Sequence, residues 1–435
     1  MIHFFGNLAW WKILLMVIGV IAIFDVLLEL FSTFGDHTKK RSVTENHPVD
    51  SEEFIQAIAR LSNSPIEQGE DVKILNNGDE FLAALLEAIR NARQTINFTT
   101  YIWEEGVMSK AIFEAMLERA KAGVEVRLLL DGFGGFFASY KRMDRLKLAG
   151  GRVEHFRLAR FGKLSRLHRR NHRRAIVIDG EIGFTGGMAV ADHWLGNARN
   201  EKEWRDMMFE VRGHMAKSLQ AAFAQLWATT NGEILEGGKF YPAFSPAEQT
   251  GPLCKYVSVA SSPASDTQPL TKFFWLSIAS AQKKIYLNSS YVVPDDHIRH
   301  ALMDRARAGV DVRLLVPNNK TDAKPIRLAS HYYFEKYLKA GVKIYEYQPT
   351  MIHSKVLIID DSWSVIGSSN MDIRSVELNE ENVLGIYNPR FGRELGGVFL
   401  KDQRNAKQIN LEQWKKRGIW DRLGEMLFVK FIKQY

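Results

Sequence analysis

The feature that most constrains the fold of this chain is a pattern of histidine, basic residue and aspartate that occurs twice. In the second copy, His353 and Lys355 stand two residues apart, Asp360 follows, and a six-residue gap leads to the sequence GSSN at 367–370. Residues 356–359 are all apolar, which is typical of a strand buried on both faces. Side chains two residues apart on a strand point to the same side, so the imidazole and ammonium groups should lie together.

The first copy keeps the spacing but changes the basic residue. His172 and Arg174 precede Asp179, and a six-residue gap again leads to a glycine pair, Gly186 and Gly187. Arginine keeps the positive charge and can bind phosphate through two N–H groups, although its reach and geometry differ from those of lysine.

The duplication extends beyond the motifs. Residues 122–129 read AGVEVRLL, and residues 308–315 read AGVDVRLL. Four such landmarks recur at offsets of 181 to 191 residues. Apolar runs alternate with stretches of helical periodicity, which indicates strands alternating with helices. The sequence therefore predicts a duplicated α/β protein.

A histidine beside a lysine on a rigid strand suits phosphate chemistry. The imidazole can attack phosphorus or transfer a proton, and the ammonium group can hold phosphoryl oxygens. Gly367 and Ser368 would let the backbone approach closely, and Ser368 and Asn370 would add neutral hydrogen-bond donors. Together with Gly186 and Gly187 of the first copy, they are candidate substrate-binding or supporting residues.

The duplicated pattern resembles the two HKD motifs of the phospholipase D superfamily. Its flanks resemble the bacterial cardiolipin synthases in particular: RNHR at 170–173, NMDIRS at 370–375 and the LN pair at 378–379. The resemblance covers roughly residues 70 to 400. It implies an α/β fold of two tandem phospholipase D-like repeats, each a mixed sheet flanked by helices, that face each other around one active site.

Two histidines in one site would address both difficulties of cleaving a phosphodiester. One would attack phosphorus to form a phosphohistidine, and the other would protonate the leaving oxygen and then deprotonate the incoming alcohol or water. The resemblance implies that His172 is the nucleophile and His353 the acid and base; the residues alone do not order them. Arg174 and Lys355 would hold the phosphoryl oxygens.

Four carboxylates are expected to support these groups. We predict that Asp179 and Asp360 balance and orient the neighbouring cations rather than react. Asp206 and Glu381 are candidate hydrogen-bond acceptors for the two catalytic histidines. His193 has no comparable context and is predicted to be an ordinary residue.

The charge and the cysteine content limit the classes of partner and cofactor that this chain can have. The formal net charge is +8 and the isoelectric point is about 9.3, which suits an anionic membrane surface or a nucleic acid. The one cysteine, Cys254, allows neither an internal disulfide nor a cysteine metal cluster. No metal or other cofactor is expected.

Residues 8–31 are mostly apolar and long enough to span a bilayer. Trp10 and Trp11 would lie at one interface, and a membrane anchor is favoured over a surface-lying or buried helix. The basic run KKR at 39–41 follows the segment, so the excess of positive charge predicts a catalytic body on the cytoplasmic side of a bacterial inner membrane.

The domain boundaries follow from composition and from the repeat. We predict a membrane anchor and linker at 1–45, the first repeat at 46–232, a connector rich in glycine and proline at 233–255, the second repeat at 256–400, and an amphipathic tail at 401–435. The tail is expected to pack on the body or to lie on a membrane surface. The first repeat also has a basic insertion just before its motif, predicted to be a solvated loop or a lid that meets anionic headgroups.

The predicted function is that of a cardiolipin synthase-like phosphatidyltransferase, which converts two phosphatidylglycerol molecules to cardiolipin plus glycerol. The same residues would serve a phospholipase D that transfers to water and yields phosphatidic acid. A nuclease is disfavoured by the anchor and the motif flanks, so no nucleic-acid partner is expected. An inactive lipid-binding scaffold is suggested only by Arg174 and by Ala189, which stands where the second copy has Asn370.

Overall fold

The fold is described from a computed structural model. It describes residues 12, 16, 17, 19, 20, 41–70, 72–158, 169–243, 253–263 and 268–431. The predicted membrane helix at 8–31 lies largely outside these residues, as does most of the predicted basic insertion. Among the described residues, no helix combines the length and the apolar character needed to cross a bilayer. Residues 1–44 and 45–435 form two compact units, and the elements below belong to the second.

Helices and strands alternate along this second unit, as the sequence predicts. The helices are α1 Glu52–Leu61, α2 Asn77–Asn91, α3 Val107–Lys121, α4 Tyr140–Leu148, α5 Gly213–Asn231, α6 Pro269–Ala279, α7 Asp296–Arg307, α8 Lys324–Lys339, α9 Pro389–Arg404, α10 Leu411–Lys415 and α11 Ile419–Phe431. The strands are β1 Ile66–Gly69, β2 Lys73–Asn76, β3 Thr95–Thr100, β4 Glu125–Asp131, β5 Arg152–Phe156, β6 Ala175–Ile178, β7 Ile182–Gly186, β8 Met207–Arg212, β9 Cys254–Ser261, β10 Lys284–Asn288, β11 Val292–Val293, β12 Asp311–Pro317, β13 Lys343–Tyr347, β14 Val356–Ile359, β15 Trp363–Gly367, β16 Met371–Asp372, β17 Glu381–Tyr387 and β18 Ala406–Gln408. A 3-10 turn, Asp192–Trp194, and a π-helical turn, Arg374–Leu378, complete the elements that bear on the site.

In the described part of the chain, most strands form two large mixed sheets with the same internal order, and β11 pairs separately with β16. The first sheet runs β2-β8-β7-β6-β3-β4-β5, and the second runs β1-β9-β17-β15-β14-β10-β12-β13-β18. In the first sheet, β3 pairs in parallel with β4 and antiparallel with β6, the strand that follows His172. In the second sheet, β10 pairs in parallel with β12 and antiparallel with β14, the strand that follows His353. The predicted duplication is therefore present in the topology as well as in the sequence.

The repeated AGV sequence ends a helix and starts a strand in both halves. Gly123 and Gly309 have φ values of +90° and +91°, in the left-handed region that glycine adopts without strain. The chain then enters β4 and β12, whose apolar residues are almost fully buried. This turn explains why the two AGV stretches match so closely.

The two sheets share one apolar core. Val177 and Phe209 from the first sheet belong to the same buried cluster as Ile358 and Leu384 from the second. The cluster also contains buried residues of α5 and α9, such as Phe223 and Phe399. A second cluster covers the first sheet together with α2, α3 and α4. Burial on both faces accounts for the continuous apolar runs at 175–178 and 356–359.

The sheets divide the chain differently from the predicted domain boundaries. Within the predicted first repeat, 46–232, strand β1 pairs with β9 of the second sheet, and α1 packs on the same side, with Phe54 and Trp363 ring centroids 5.2 Å apart. Beyond the predicted end of the second repeat at 400, β18 pairs with β13. Neither addition follows from the duplicated pattern, because both lie outside the repeated unit.

The predicted amphipathic tail contains α11, which packs on the body through one face. Phe428 and Val429 contact a small cluster that includes Ile326 and Ala329 at the start of α8. Among the side chains of α11 that the structure describes, four large apolar ones are exposed: Ile419, Trp420, Leu423 and Met426. The helix thus packs on the body and still presents an apolar strip to the surroundings.

Candidate active site

The two motif histidines lie immediately before the central strands β6 and β14. In the second motif, the Nζ atom of Lys355 lies 3.0 Å from Nδ1 and 3.2 Å from Nε2 of His353, and it donates to Ser290 Oγ at 3.0 Å. The imidazole and ammonium groups are therefore together, with both residues buried.

Backbone hydrogen bonds bring each motif against the opposite repeat. The His172 N–H donates to the Glu380 carbonyl at 3.0 Å, and the Glu380 N–H donates to the Arg170 carbonyl at 2.9 Å. On the other side, the His353 N–H donates to the Arg205 carbonyl at 2.7 Å. These contacts form two isolated β-bridges, Asn171 with Glu380 and Arg205 with Ile352, which correspond to each other in the two repeats. Each bridge places a carboxylate of one repeat beside the motif histidine of the other.

Each histidine is held by a carboxylate from the opposite repeat. His172 Nδ1 lies 2.7 Å from Glu381 Oε1, and His353 Nδ1 lies 2.8 Å from Asp206 Oδ2. Both carboxyl groups are fully buried. Because Nδ1 of each ring lies against a carboxylate, Nε2 is the nitrogen that each histidine can offer to a substrate, and that of His353 also lies 3.2 Å from Lys355 Nζ.

The small residues after the motifs make room for these carboxylates. A Cβ atom on Gly187 would lie 2.1 Å from Asp206 Oδ1. Its counterpart Ser368 instead donates from Oγ to Glu381 and accepts from the Asn382 N–H at 3.0 Å. Gly186 and Gly367 have φ values of +146° and +148°, where any side chain would also collide with a backbone carbonyl of the neighbouring strand.

The basic residue of the first motif is buried and is hydrogen-bonded through its backbone and one end of its guanidinium, whereas its Nε atom has no partner among the described residues. Arg174 Nη1 donates to the His172 carbonyl at 2.6 Å, and its backbone N–H donates to Asn382 Oδ1 at 3.0 Å. Asn382 also donates to Thr185 Oγ1 at 2.9 Å, so one side chain of the second sheet joins two parts of the first motif. The replacement of lysine by arginine is accommodated without leaving the positive charge at the surface.

Burial and neighbouring charges shift the pKa values of these groups. Burial, reinforced by the cations Arg174 and Lys355, holds the pKa of His172 well below its ordinary value. Burial also lowers the pKa of Lys355 to about 7 and raises that of Glu381 to about 8. The site therefore favours an unprotonated His172 at neutral pH.

The second pair differs because its carboxylate is more strongly stabilised. Burial opposes ionisation of Asp206, but the charge and hydrogen bond of His353, with the charge of Lys355, lower its pKa overall. Burial and the charge of Lys355 lower the pKa of His353 overall, although the charge and hydrogen bond of Asp206 oppose that shift. An ionised Asp206 can thus support a positive charge on His353.

The predicted role of the motif aspartates in orienting the neighbouring cations is wrong. Asp179 accepts the backbone N–H groups of residues 93–95, each at 2.8 Å, at the far end of β6 from Arg174. Asp360 accepts those of residues 282–284 at 2.7 to 2.8 Å, at the far end of β14 from Lys355. These carboxylates fix the turns that lead into β3 and β10, since each satisfies three N–H groups at once.

The predicted donor Asn370 and its counterpart Ala189 are both buried. Within the described part of the chain, no donor reaches the Oδ1 atom of Asn370. Ala189 lies in the apolar cluster with α2 and α3, so the first copy uses this position for packing.

Sequence reasoning missed an aromatic enclosure around the histidines. Trp194 and Trp204 each have ring centroids 5.4 Å from that of His353, and Trp194 Nε1 donates to Asp206 Oδ2 at 2.9 Å. His193 packs between the two tryptophans, at 4.2 and 3.9 Å, and burial lowers its pKa to about 4. Tyr101 has its ring 5.4 Å from that of His172. The only sequence signal was the nearness of Trp204 to Asp206 in the chain.

A metal centre was not expected from the sequence. Among the described residues, no group of three or more histidine, cysteine, aspartate and glutamate side chains has an arrangement that could hold a metal ion.

Comparison with known proteins agrees with the duplicated site. Residues 85–227 and 276–403 match the family model for the cardiolipin synthase, PLD-like domain. A cardiolipin synthase from Halalkalibacterium halodurans is 36% identical over 368 residues, which cover 84% of this chain and 72% of that protein. Cardiolipin synthase 2 from Bacillus anthracis is 33% identical over 396 residues, covering 91% of this chain and 76% of that protein.

The fold is also found in a solved structure. The crystal structure of phosphatidylserine synthase from Haemophilus influenzae Rd KW20 superposes with a TM-score of 0.65 at 16% identity, covering 88% of this chain and 98% of that one. At this identity the likeness concerns the fold. The family match and the relatives at 33% and 36% identity show that the chain belongs to the cardiolipin synthase family of the phospholipase D superfamily, whose members are phosphodiesterases and phosphatidyltransferases.

Proposed function

We propose that this enzyme transfers the phosphatidyl group of one phosphatidylglycerol to the headgroup hydroxyl of another, forming cardiolipin and free glycerol. The observation that carries the proposal is that each motif histidine is hydrogen-bonded to a carboxylate of the other repeat, His172 to Glu381 and His353 to Asp206. Two histidines with Nδ1 engaged and Nε2 available are the minimum for a two-step displacement at phosphorus. The similarity to cardiolipin synthases supports the choice of lipid.

In the first step, Nε2 of His172 attacks phosphorus while the bond from phosphorus to the glycerol oxygen breaks. His353 gives its Nε2 proton to that oxygen, so glycerol leaves as a neutral alcohol and a phosphatidyl-histidine remains. Arg174 and Lys355 supply positive charge beside the phosphoryl oxygens as charge moves through the transition state.

In the second step, the roles reverse. A hydroxyl group of the second phosphatidylglycerol gives its proton to His353 and attacks the phosphatidyl-histidine, which releases cardiolipin and restores His172. One phosphodiester replaces another, so the exchange needs no nucleotide. Water in place of the second lipid would yield phosphatidic acid.

The electrostatics of the two histidines support this division of labour. The depressed pKa of His172 keeps the nucleophile unprotonated. The pKa of His353 is lowered too, but the Asp206 carboxylate opposes the shift and so supports the protonated form that a proton donor needs. Glu381 accepts the Nδ1–H of His172 when ionised, and its pKa of about 8 places that ionisation near neutral pH.

The localisation follows from the substrate. We propose that residues 8–31 anchor the enzyme in the bacterial inner membrane, with the catalytic body on the cytoplasmic side. Proteolysis of inside-out membrane vesicles checks this arrangement, since a body on the opposite side would be protected from the protease.

The experiment that tests the function is mass spectrometry of products formed from phosphatidylglycerol vesicles without nucleotide and with a chelator present. Cardiolipin plus glycerol is expected, and peptide mapping of quenched enzyme should find the lipid adduct on His172. His172→Ala and His353→Ala should each lose at least about a thousandfold in turnover. His300→Ala, an exposed histidine on α7, is the matched control and should change little. Phosphatidic acid as the sole product would reassign the enzyme as a hydrolase, and substantial activity in either motif variant would contradict the shared site.

A further inference from the structure

A segment beside the active site exposes four aromatic side chains. Residues 132–140, read as GFGGFFASY and called here the aromatic loop, join β4 to the first residue of α4. The exposed fractions are 70% for Phe133, 59% for Phe136, 77% for Phe137 and 67% for Tyr140. So much aromatic surface in one short segment marks an interaction site.

The backbone of the aromatic loop is firmly held. The Phe133 N–H donates to Asp131 Oδ1 at 2.8 Å, and the Gly135 N–H donates to the Asp131 carbonyl at 2.9 Å. The Gly134 carbonyl accepts from the Trp103 N–H at 3.2 Å, and the Ser139 N–H donates to Glu105 Oε1 at 2.8 Å. The outward direction of the rings is therefore built into the fold, because the backbone that carries them is bonded along its length.

The same contacts tie the loop to the catalytic histidine. Asp131 accepts the N–H of Asn171, the residue before His172, at 2.8 Å through its other oxygen. Gly134 lies so close to the Tyr101 carbonyl that a Cβ atom would be 2.1 Å from it, and the Tyr101 ring packs against the His172 ring. The loop is thus separated from the nucleophile by a single layer of residues.

Basic side chains lie beside the loop, and acidic neighbours pair with three of them. Helix α4, which continues directly from it, reads YKRMDRLKL and so has four basic residues and one acidic residue. Arg142 and Arg145 pair with Glu105 and Glu114, and Lys141 is exposed next to Tyr140. Aromatic rings beside basic residues are the combination that enters the headgroup region of an anionic bilayer.

We propose that the aromatic loop inserts its rings into the interface of an anionic membrane and thereby sets the active site at the level of the lipid headgroups. This inference rests on the proposed function, because a lipid substrate supplies the bilayer. Docking next to His172 lets a phosphodiester reach the histidines while its acyl chains stay in the membrane. The occupant of this surface is the lipid bilayer itself, in contact with the rings of residues 133, 136, 137 and 140.

The test compares two forms of the same substrate on the full-length enzyme. Replacement of Phe133, Phe136 and Phe137 by serine should lower turnover on phosphatidylglycerol vesicles at least about tenfold, because the rings no longer bury apolar surface in the bilayer. Turnover on short-chain phosphatidylglycerol, dissolved as monomers, should stay within about twofold of the parent enzyme, since the histidines are untouched. The monomer assay also reports that the variant is folded.

Ile234→Ser is the matched control. Ile234 is 78% exposed, and the adjacent Glu233 accepts from Arg127 Nη2 at 3.0 Å near the start of β4, whereas the aromatic loop follows the end of that strand. Unchanged vesicle turnover in the triple variant would overturn the proposal. An equal loss on vesicles and monomers would also overturn it, because the loop would then act in catalysis or folding. If the parent enzyme processed neither substrate, the proposed function would fail instead.

A spin label gives a readout that does not depend on activity. Because Cys254 is buried, a nitroxide reagent should react selectively with Phe137→Cys. On phosphatidylglycerol vesicles, this label should become more accessible to dissolved oxygen and less accessible to a water-soluble nickel complex. A label at Ile234→Cys should keep its solution accessibility. If both labels behaved alike on vesicles, or if position 137 became protected in the absence of lipid through self-association, the loop would not be a membrane contact.

Discussion

Replacing Asp206 by asparagine keeps the shape of a buried side chain and removes the charge that holds His353. Oδ2 of Asp206 accepts from His353 Nδ1 at 2.8 Å and from Trp194 Nε1 at 2.9 Å, while Oδ1 accepts from the Met207 N–H at 2.7 Å. All of these partners present N–H groups to the carboxylate. An asparagine has one oxygen and one NH₂ group, so in either orientation an NH₂ group faces a donor.

Both orientations of the asparagine impair the proton donor. If the NH₂ group faces His353, the imidazole must offer Nδ1 as an acceptor and takes the wrong tautomer. If the oxygen faces His353, the ring keeps its position but loses the charge that raises its pKa. Loss of a comparable buried carboxylate behind a catalytic histidine costs roughly 10⁴-fold in another enzyme class. We expect Asp206→Asn to lower kcat about 10³- to 10⁴-fold, or about 4 to 5.5 kcal/mol of transition-state stabilisation.

The assay uses two donors that differ only in the leaving group. One is phosphatidylglycerol, and the other carries p-nitrophenol, which leaves without much help from an acid. The loss caused by Asp206→Asn should shrink to about tenfold with the second donor, because general-acid catalysis contributes little there. Equal losses with both donors would refute the assignment of His353 as the proton donor, and a variant within tenfold of the parent on phosphatidylglycerol would refute the role of the pair. Asp192→Asn is the control, since that exposed carboxylate accepts the first N–H groups of α3.

Two further predictions concern the second-motif cation and the motif aspartates. The pKa of Lys355 is lowered to about 7 by burial, so the ammonium charge is present below that pH and is lost above it. The ratio of kcat/KM of the parent to that of Lys355→Arg should therefore decline as pH rises through about 7, because only the parent loses this cation while the other groups titrate alike in both enzymes. Identical pH profiles would argue against a role for the Lys355 charge. Asp179→Asn and Asp360→Asn should each weaken three backbone hydrogen bonds and destabilise the fold by about 1.5 to 3 kcal/mol, with kcat/KM within about threefold of the parent. Thermal melting and steady-state kinetics check these two expectations. A large kinetic loss with an unchanged melting temperature would restore a catalytic role to these residues.

Part of the site could be predicted because local spacing determines it. A histidine and a lysine two residues apart before a buried strand must share a side, and the structure has Lys355 Nζ within 3.2 Å of both ring nitrogens of His353. The glycines after the motifs also follow from local geometry, since Gly186 and Gly367 adopt backbone conformations that other residues avoid. The same local logic failed for Asp179 and Asp360, because four strand residues separate each of them from its motif cation.

The amino-acid sequence by itself determined the duplication, the buried central strands, the pair of histidines and the family. Each of these features depends on residues that are close together in the chain or that recur at a nearly constant offset. Only the tertiary structure decided which carboxylate serves which histidine. Glu381 is 209 residues from His172, and Asp206 is 147 residues from His353, so the packing of one sheet against the other brings these pairs together. The attachment of β1 to the second sheet and the exposure of the aromatic loop have the same origin: both depend on which surfaces remain after the repeats have packed, and no local pattern records that.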